Sequence, residues 1–316
     1  MSVLATRDEL IMGGRRGMEY EENMIVDKEV ATLLSKGVYP PIFHKYRIIG
    51  LYVIRIFKDF RWIYVIIDDR IVVDKTTRKP VFGSCLNQHE LWVPLIEKAY
   101  AKMHGCYENL ISGNIDEGIQ ELTGFQPEKI LIQDESTGVF PNKLIENHYG
   151  GVEGFWDFVL DRIDDKCLMG CSIKGNGKKG AHLEDGEPTG LLLNHTYGIT
   201  DILEFYDPYD KSQQQLIKLV RLRNPWGKSE YLGAWAGKSK EMKKYKNMIQ
   251  AYINELPPDE QFEIDADDGT FFMSYEDWTD HFSTLFLNND FPDEWTGVRF
   301  QSQWTTDNSG GIPKAH

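Results

Sequence analysis

Two apolar runs, residues 191–203 and 216–223, constrain this chain more than any other part of it. Both read as short buried strands at hairpin distance from one another. Asn194-His195-Thr196-Tyr197 stands on the first run, and Arg223-Asn224-Pro225-Trp226-Gly227 ends the second. A His on an apolar strand is more often a satisfied core residue than a catalyst, and Asn, Pro and Gly together suit a tight turn. The pair changes that balance. Asn224, at the end of the paired strand, is placed to accept a hydrogen bond from one imidazole nitrogen of His195 and fix its tautomer. A neutral amide orients the ring without quenching its charge, and Trp226 beside the pair would shield the bond from water.

With 316 residues, 41% of them hydrophobic, the chain is long enough for two compact lobes around buried cores. Its net charge of −14 argues against nucleic acid as a partner and fits a solvated surface or carboxylates gathered for a hard cation. The longest apolar runs are too short to cross a bilayer, and Arg7, Asp8 and Glu9 stand where a secretory signal would be apolar. A cytoplasmic protein is expected, with Cys85, Cys106, Cys167 and Cys171 as packed thiols in a reducing compartment. No organic cofactor is implied.

The first lobe is expected over residues 1–113, with helices at residues 1–12, 27–36 and 90–110 and a hairpin between residues 46 and 73. Ser112-Gly113-Asn114 marks the boundary. Residues 114–289 read as a strand-rich second lobe with a helix at 152–163 and strands at 167–173, 191–203, 216–223 and 270–275. Residues 290–316 fall back to polar composition. The pattern is that of an α+β protein with its site in the cleft between lobes. Gly175-Asn176-Gly177-Lys178-Lys179-Gly180 lacks the Ser or Thr and the following helix of a phosphate loop. Asp265-Ala266-Asp267-Asp268-Gly269 has its Gly one place too early for an EF-hand.

Seven segments together carry a resemblance. In the first lobe they are WIYVIIDD (62–69) and Glu90-Leu91-Trp92 running into LIEKAYAKMHGCY (95–107). EGIQELTG (117–124), LMGCSI (168–173), His195-Thr196-Tyr197, LVRLRNPWG (219–227) and DGTFFMSY (268–275) follow. In order and content the chain resembles the protease core of the calpain family, papain-like cysteine proteases with a helical first lobe and an antiparallel second lobe. The resemblance implies His195 as general base, Asn224 as its orienter and Trp226 as the shield. The family's nucleophile sits in a Gln-x-x-x-Gly-Asp-Cys-Trp segment opening a helix. Residues 2–5 resemble the later part of that helix, which would place the Cys about two turns before Met1. None of the four cysteines has the required flanks.

The family also binds calcium, one ion per lobe. Glu90 matches the first-lobe glutamate, and Glu230 and Asp268 match second-lobe ligands. Gly237 and Thr270 stand where carboxylates are expected, so the second site is expected to be weakened. The 175–180 loop matches the mobile loop beside the family's cleft. Residues 290–316 resemble the start of the β-sandwich that follows the core. The resemblance therefore implies a calcium-dependent endopeptidase domain for limited intracellular proteolysis of protein substrates, with further calpain domains or a regulatory subunit as partners. As written, the chain is expected to be inactive for want of the Cys. The alternative is a calpain-like fold kept for binding or scaffolding.

Overall fold

A computed structural model describes residues 2–5, 41–85, 90–175, 182–185, 187–212, 214–227, 231–258, 260–264, 266 and 268–289, with 302, 303, 305 and 307. The helix expected over 27–36 lies outside these residues. After a 3-10 segment, Pro41–Ile49, the first layer is a hairpin of β2 (Leu51–Lys58) and β3 (Arg61–Asp68). Asp59 and Phe60 both take positive φ, at 50° and 58°, the conformation that a two-residue turn matching the strand twist requires. Helix α1 (Trp92–Met103) packs Leu95 and Ala99 onto Tyr52, Ile54, Ile56 and Ile67 of the hairpin. The helical pattern of residues 90–110 breaks after His104, and Tyr107–Leu110 forms a separate 3-10 turn.

Residues 2–5 correct the reading of the N-terminal segment. They form strand β1 (Ser2–Ala5), antiparallel to β4 (Ile71–Asp74), with Ser2 opposite Asp74 and Ala5 opposite Ile71. Val3 and Leu4 have helix-like spacing with Leu10, but a four-residue window also fits a strand, and pairing with β4 decides between them. A position for the nucleophile counted in helical turns from Met1 has no support in a strand.

Helix α2 (Ile115–Thr123) follows the expected boundary and touches both layers. Gly124 closes it at φ 76°, and a Cβ there would lie 2.7 Å from the Trp62 ring of β3. On its other side Asn288 Nδ2 donates to Thr123 Oγ1 at 2.8 Å. Lys58 of β2 pairs with the buried carboxylate of Glu121, which also lies 3.0 Å from His104 Nε2.

The second layer is a six-stranded antiparallel sheet. It contains β5 (Gln126–Leu131), β6 (Leu168–Ser172), β9 (Thr196–Tyr206), β10 (Leu216–Arg223), β11 (Thr270–Ser274) and β12 (Thr284–Asn289), in the order β11-β10-β9-β6-β12-β5. A separate hairpin, β7 (His182–Asp185) with β8 (Glu187–Leu192), leads into β9. Alternation along β10 supplies two cores. Val220 and Leu222 join the cluster of Phe155, Trp156 and Val159 from α4 (Gly151–Asp164), which follows the short α3 (Lys143–Tyr149). Ile217 and Leu219 join the cluster on α5 (Lys240–Glu255). That helix was not among the expected elements, although Met242, Tyr245, Ile249 and Ile253 follow helical spacing and Ser239 caps it by accepting from Met242 N. Helix α6 (Tyr275–His281) follows β11 directly and buries Trp278. The architecture is α+β, as the patterning implies, and is that of a papain-like core.

Candidate active site

The expected strand at 191–203 is interrupted, and the interruption carries the site. β8 ends at Leu192, β9 begins at Thr196, and His195 sits in the turn between them, with Asn194 at φ 50°. The antiparallel register sets Arg223, the last residue of β10, opposite Gly198, so the residue after it reaches the His195 turn. A register irregularity between Arg221 and Leu222 re-aims the strand just before this point.

His195 and Asn224 are both buried, and His195 Nε2 lies 2.9 Å from Asn224 Oδ1. Trp226 N donates to the same oxygen at 3.0 Å, which identifies that atom as the carbonyl end of the amide. A carbonyl oxygen only accepts, so Nε2 carries the proton and Nδ1 is the basic nitrogen of the neutral ring. The Trp226 ring lies 4.5 Å from the imidazole, with its outer face open to solvent. The Asn-Pro-Trp-Gly stretch is the turn that its residue types suggest. Gly227 N donates to Asn224 O at 3.0 Å, closing the turn, and the turn is what presents the amide to His195.

Three residues that the motif reasoning left without a role hold this pair in place. Gly269 accepts from Asn224 N through its carbonyl at 2.9 Å, and a Cβ on it would lie 2.6 Å from Asn224 O. Its φ of 87° also favours glycine. Tyr197, buried at 5.0 Å from the imidazole, accepts from Leu192 N through its hydroxyl, and burial foremost pushes its pKa up to about 12. Asn194 exchanges two hydrogen bonds with the main chain of Gly175, tying the start of the glycine-rich loop to the His195 turn. Residues 176–181 of that loop lie outside the described residues. The only sequence signals for these roles were an Asn before the His, a Tyr after it and an isolated Asp-Gly.

The four thiols differ in setting, and the expectation that all of them are packed fails at Cys106, which is exposed. Cys171, on β6 opposite Tyr197, is fully buried, and burial pushes its thiol well above the ordinary value. Burial likewise raises Cys85. Cys167 points its sulfur at Asn289 Oδ1, and Cys106 is exposed ahead of a 3-10 turn. A thiolate nucleophile needs the opposite shift, toward lower pKa.

The candidate calcium ligands do not converge among the described residues. Glu90 Oε2 accepts from the Trp92 indole at 3.1 Å in the first lobe. Glu230 lies outside the described residues. Burial would raise the Asp268 pKa, but the hydroxyl and amide of Thr270, with Arg221 and Arg223 nearby, outweigh it and hold the carboxyl below its usual range. Both Thr270 bonds fall on Oδ1, at 2.7 and 2.9 Å. Thr270, where a further carboxylate would help a cation, instead occupies the neighbouring one. No group of three or more His, Cys, Asp or Glu able to hold a metal is present among the described residues. No described helix is long and apolar enough to cross a membrane.

Residues 29–289 match the family described as calpain family cysteine protease. The chain belongs to the calpain family. Calpain-9 of Rattus norvegicus is 28% identical over 272 residues, covering 83% of this chain and 34% of its own length. The calpain-1 catalytic subunit of Bos taurus is 28% identical, covering 81% of this chain and 31% of its own. Calpain-B of Drosophila melanogaster is 26% identical, with 89% and 28% covered. The chain thus spans about a third of the length of these curated relatives. Residues 29–289 are its calpain family cysteine protease domain.

Proposed function

We propose that His195 and Asn224 are the proton-transfer half of a calpain-type endopeptidase site, working with a thiol that is none of Cys85, Cys106, Cys167 and Cys171. The observation that carries this is the double use of Asn224 Oδ1 by His195 Nε2 and Trp226 N. It fixes the tautomer that leaves Nδ1 to take a proton from a Cys thiol. The thiolate attacks a peptide carbonyl, and the resulting imidazolium returns the proton to the leaving amine. Asn224 holds the ring through both steps without adding a charge that would trap it as imidazolium, and Trp226 covers one face. The expected substrates are accessible, extended segments of intracellular proteins, cut in a limited way. Free thiols and the cytosolic setting expected from composition agree with this. One relative is named a catalytic subunit, which makes a partner subunit part of the proposal.

Calcium control through the second lobe is proposed to be weak, because Asp268 is already satisfied by Thr270 and Gly237 contributes no side chain. If a cation binds, Glu90, Glu230 and Asp268 are its candidate ligands.

The test compares two proteins. The 316-residue chain is expected to leave an unfolded protein substrate uncut, with reductant and with or without calcium. The same chain joined to an upstream Gly-Asp-Cys-Trp segment of the family type is expected to cut it, and to stop on His195→Ala. Thiol-dependent cleavage by the unextended chain, or cleavage that survives His195→Ala, overturns the proposal. If the extended chain folds but never cuts, the scaffold reading takes its place.

A further inference from the structure

Strand β6 leaves the sheet in an extended strip that runs on toward His195. Ser172 is its last paired residue, opposite Thr284 of β12 on one side and Thr196 of β9 on the other. Both neighbours begin there, β12 at Thr284 and β9 at Thr196. Residues 173–175 therefore run on beyond the described ladders, and their main-chain donors and acceptors still need partners.

Two residues supply those partners, one from each flank. Ser283, between α6 and β12, donates from N to Ser172 O at 3.1 Å and from its hydroxyl to the same oxygen at 3.3 Å. The same hydroxyl accepts from Lys174 N at 3.0 Å. Asn194 donates from N to Ile173 O at 2.8 Å. Its side-chain amide donates to Gly175 O at 3.0 Å and accepts from Gly175 N at 3.3 Å. The division follows from extended backbone, where the polar groups of alternate residues face opposite edges. Ser172 and Lys174 turn to Ser283, while Ile173 and Gly175 turn to Asn194.

Ser283 is itself fixed. Its carbonyl accepts from Ile132 N at 3.0 Å, just past the end of β5, and Phe282 before it is fully buried. A hydroxyl suits this position because it donates and accepts at once. At the other flank Asn194 holds φ 50°, and the next residue is His195. A continuous run of hydrogen bonds thus leads from the α6–β12 corner, through the strip, to the residue before the imidazole.

We propose that Ser283 is a positioning residue for His195, acting at a distance through the 172–175 strip and Asn194. The hydroxyl holds the strip at Ser172 and Lys174, the strip holds the Asn194 amide, and the amide sets the turn that aims the ring at Asn224 Oδ1. Proton transfer depends on such placement, since a displacement of about 1 Å costs on the order of 10²-fold in rate. The inference rests on the peptidase reading only where activity is measured.

The first readout needs no activity. In the 316-residue chain with nitrogen-labelled histidine, exchange of the His195 Nε2 proton with water reports how firmly Asn224 holds it. Ser283→Ala is expected to speed that exchange about tenfold. Ser283→Thr keeps the hydroxyl and is expected to stay within about twofold of wild type. Ile249→Val, in the α5 core, controls for a general loss of stability and is expected to leave the exchange as it is. Asn194→Gly tolerates the positive φ, removes the amide, and is expected to speed exchange as well. Adding Ser283→Ala to it should then change little, because the path is already cut. If Ser283→Ala does not fold, Ser283→Cys, whose sulfur bonds more weakly, is read in its place.

The second readout is the Cys-extended protein, in which Ser283→Ala is expected to lower kcat about tenfold with KM nearly unchanged. If that protein cuts nothing, the peptidase reading fails and the exchange data still decide the role of Ser283. Unchanged exchange in Ser283→Ala, an equal rise in Ile249→Val, or full additivity with Asn194→Gly overturns the proposal.

Discussion

Among the described residues, two places bury a hydrogen-bonded histidine partner, and they differ in what that partner is. At the end of β10 it is the neutral amide of Asn224, which holds His195 through Nε2. At the junction of the hairpin with α2 it is the carboxylate of Glu121, which receives Lys58, lies 3.0 Å from His104 and bonds Tyr100. A carboxylate in a drying environment demands cations, so the second cluster is a fixed electrostatic joint between β2, α1 and α2. An amide carries no charge, so it orients the His195 ring without forming an ion pair. Orientation without charge suits catalysis, and charge with orientation suits a structural clasp.

The sharpest way to break this contrast is to remove or exchange its partners. In the Cys-extended protein, His195→Ala is expected to lower kcat/KM by about 10²–10⁴, the range of a general acid–base group. Asn224→Asp would turn the site into a copy of the Glu121 arrangement. Its negative charge favours the imidazolium, so the acid limb of the kcat/KM–pH profile is expected to move to higher pH. An unmoved limb would separate Asn224 from His195 in function.

Gly269→Ala comes next. The added Cβ meets Asn224 O at 2.6 Å at a φ of 87°, and the expected loss is about 1–3 kcal/mol in urea unfolding, with reduced activity. Retained stability and activity would show that the Asn224 turn tolerates displacement.

Glu121→Gln is expected to cost about 1–2 kcal/mol at neutral pH, at the lower end for a buried acceptor because Lys58 and His104 can still reach water. The sign with pH follows from its carboxyl. Burial would raise the pKa, but hydrogen bonds from Lys58, Tyr100 and His104 outweigh it and lower the value below 4.5. The carboxylate's contribution is therefore present above pH 4.5 and lost as pH falls through the depressed folded value. The stability gap between wild type and Glu121→Gln should narrow below that pH, and a constant gap would refute an electrostatic clasp. Tyr197→Phe, the smallest change, leaves Leu192 N–H without its acceptor beside the His195 turn, for about 1 kcal/mol.

Much of this was legible in the chain. Strand β10 runs over the expected residues 216–223, because an apolar stretch bounded by polar residues has few alternatives. The Asn-Pro-Trp-Gly turn and the His ahead of an apolar strand pointed to one another for the same local reason. Other parts were less legible. Strand β12 is buried along nearly its whole length between β5 and β6, so it shows no alternation to read. Residues 2–5 became a strand through β4, a partner about seventy residues away in sequence.

The residue types at the site, the family and the absence of a suitably flanked Cys among these 316 residues were determined by the sequence alone, since each rests on local chemistry. Tertiary structure decided which imidazole nitrogen is basic, because that needed the Trp226 amide to name the Asn224 oxygen. It also decided that Gly269 must be glycine, because the obstructing carbonyl belongs to a turn 45 residues earlier in the chain. Its third decision was the strip at residues 173–175, because the residues that stand in for its ladder partners, Asn194 and Ser283, lie elsewhere in the chain. Hydrogen bonds and steric limits act between atoms that folding brings together, and no window along the sequence contains them.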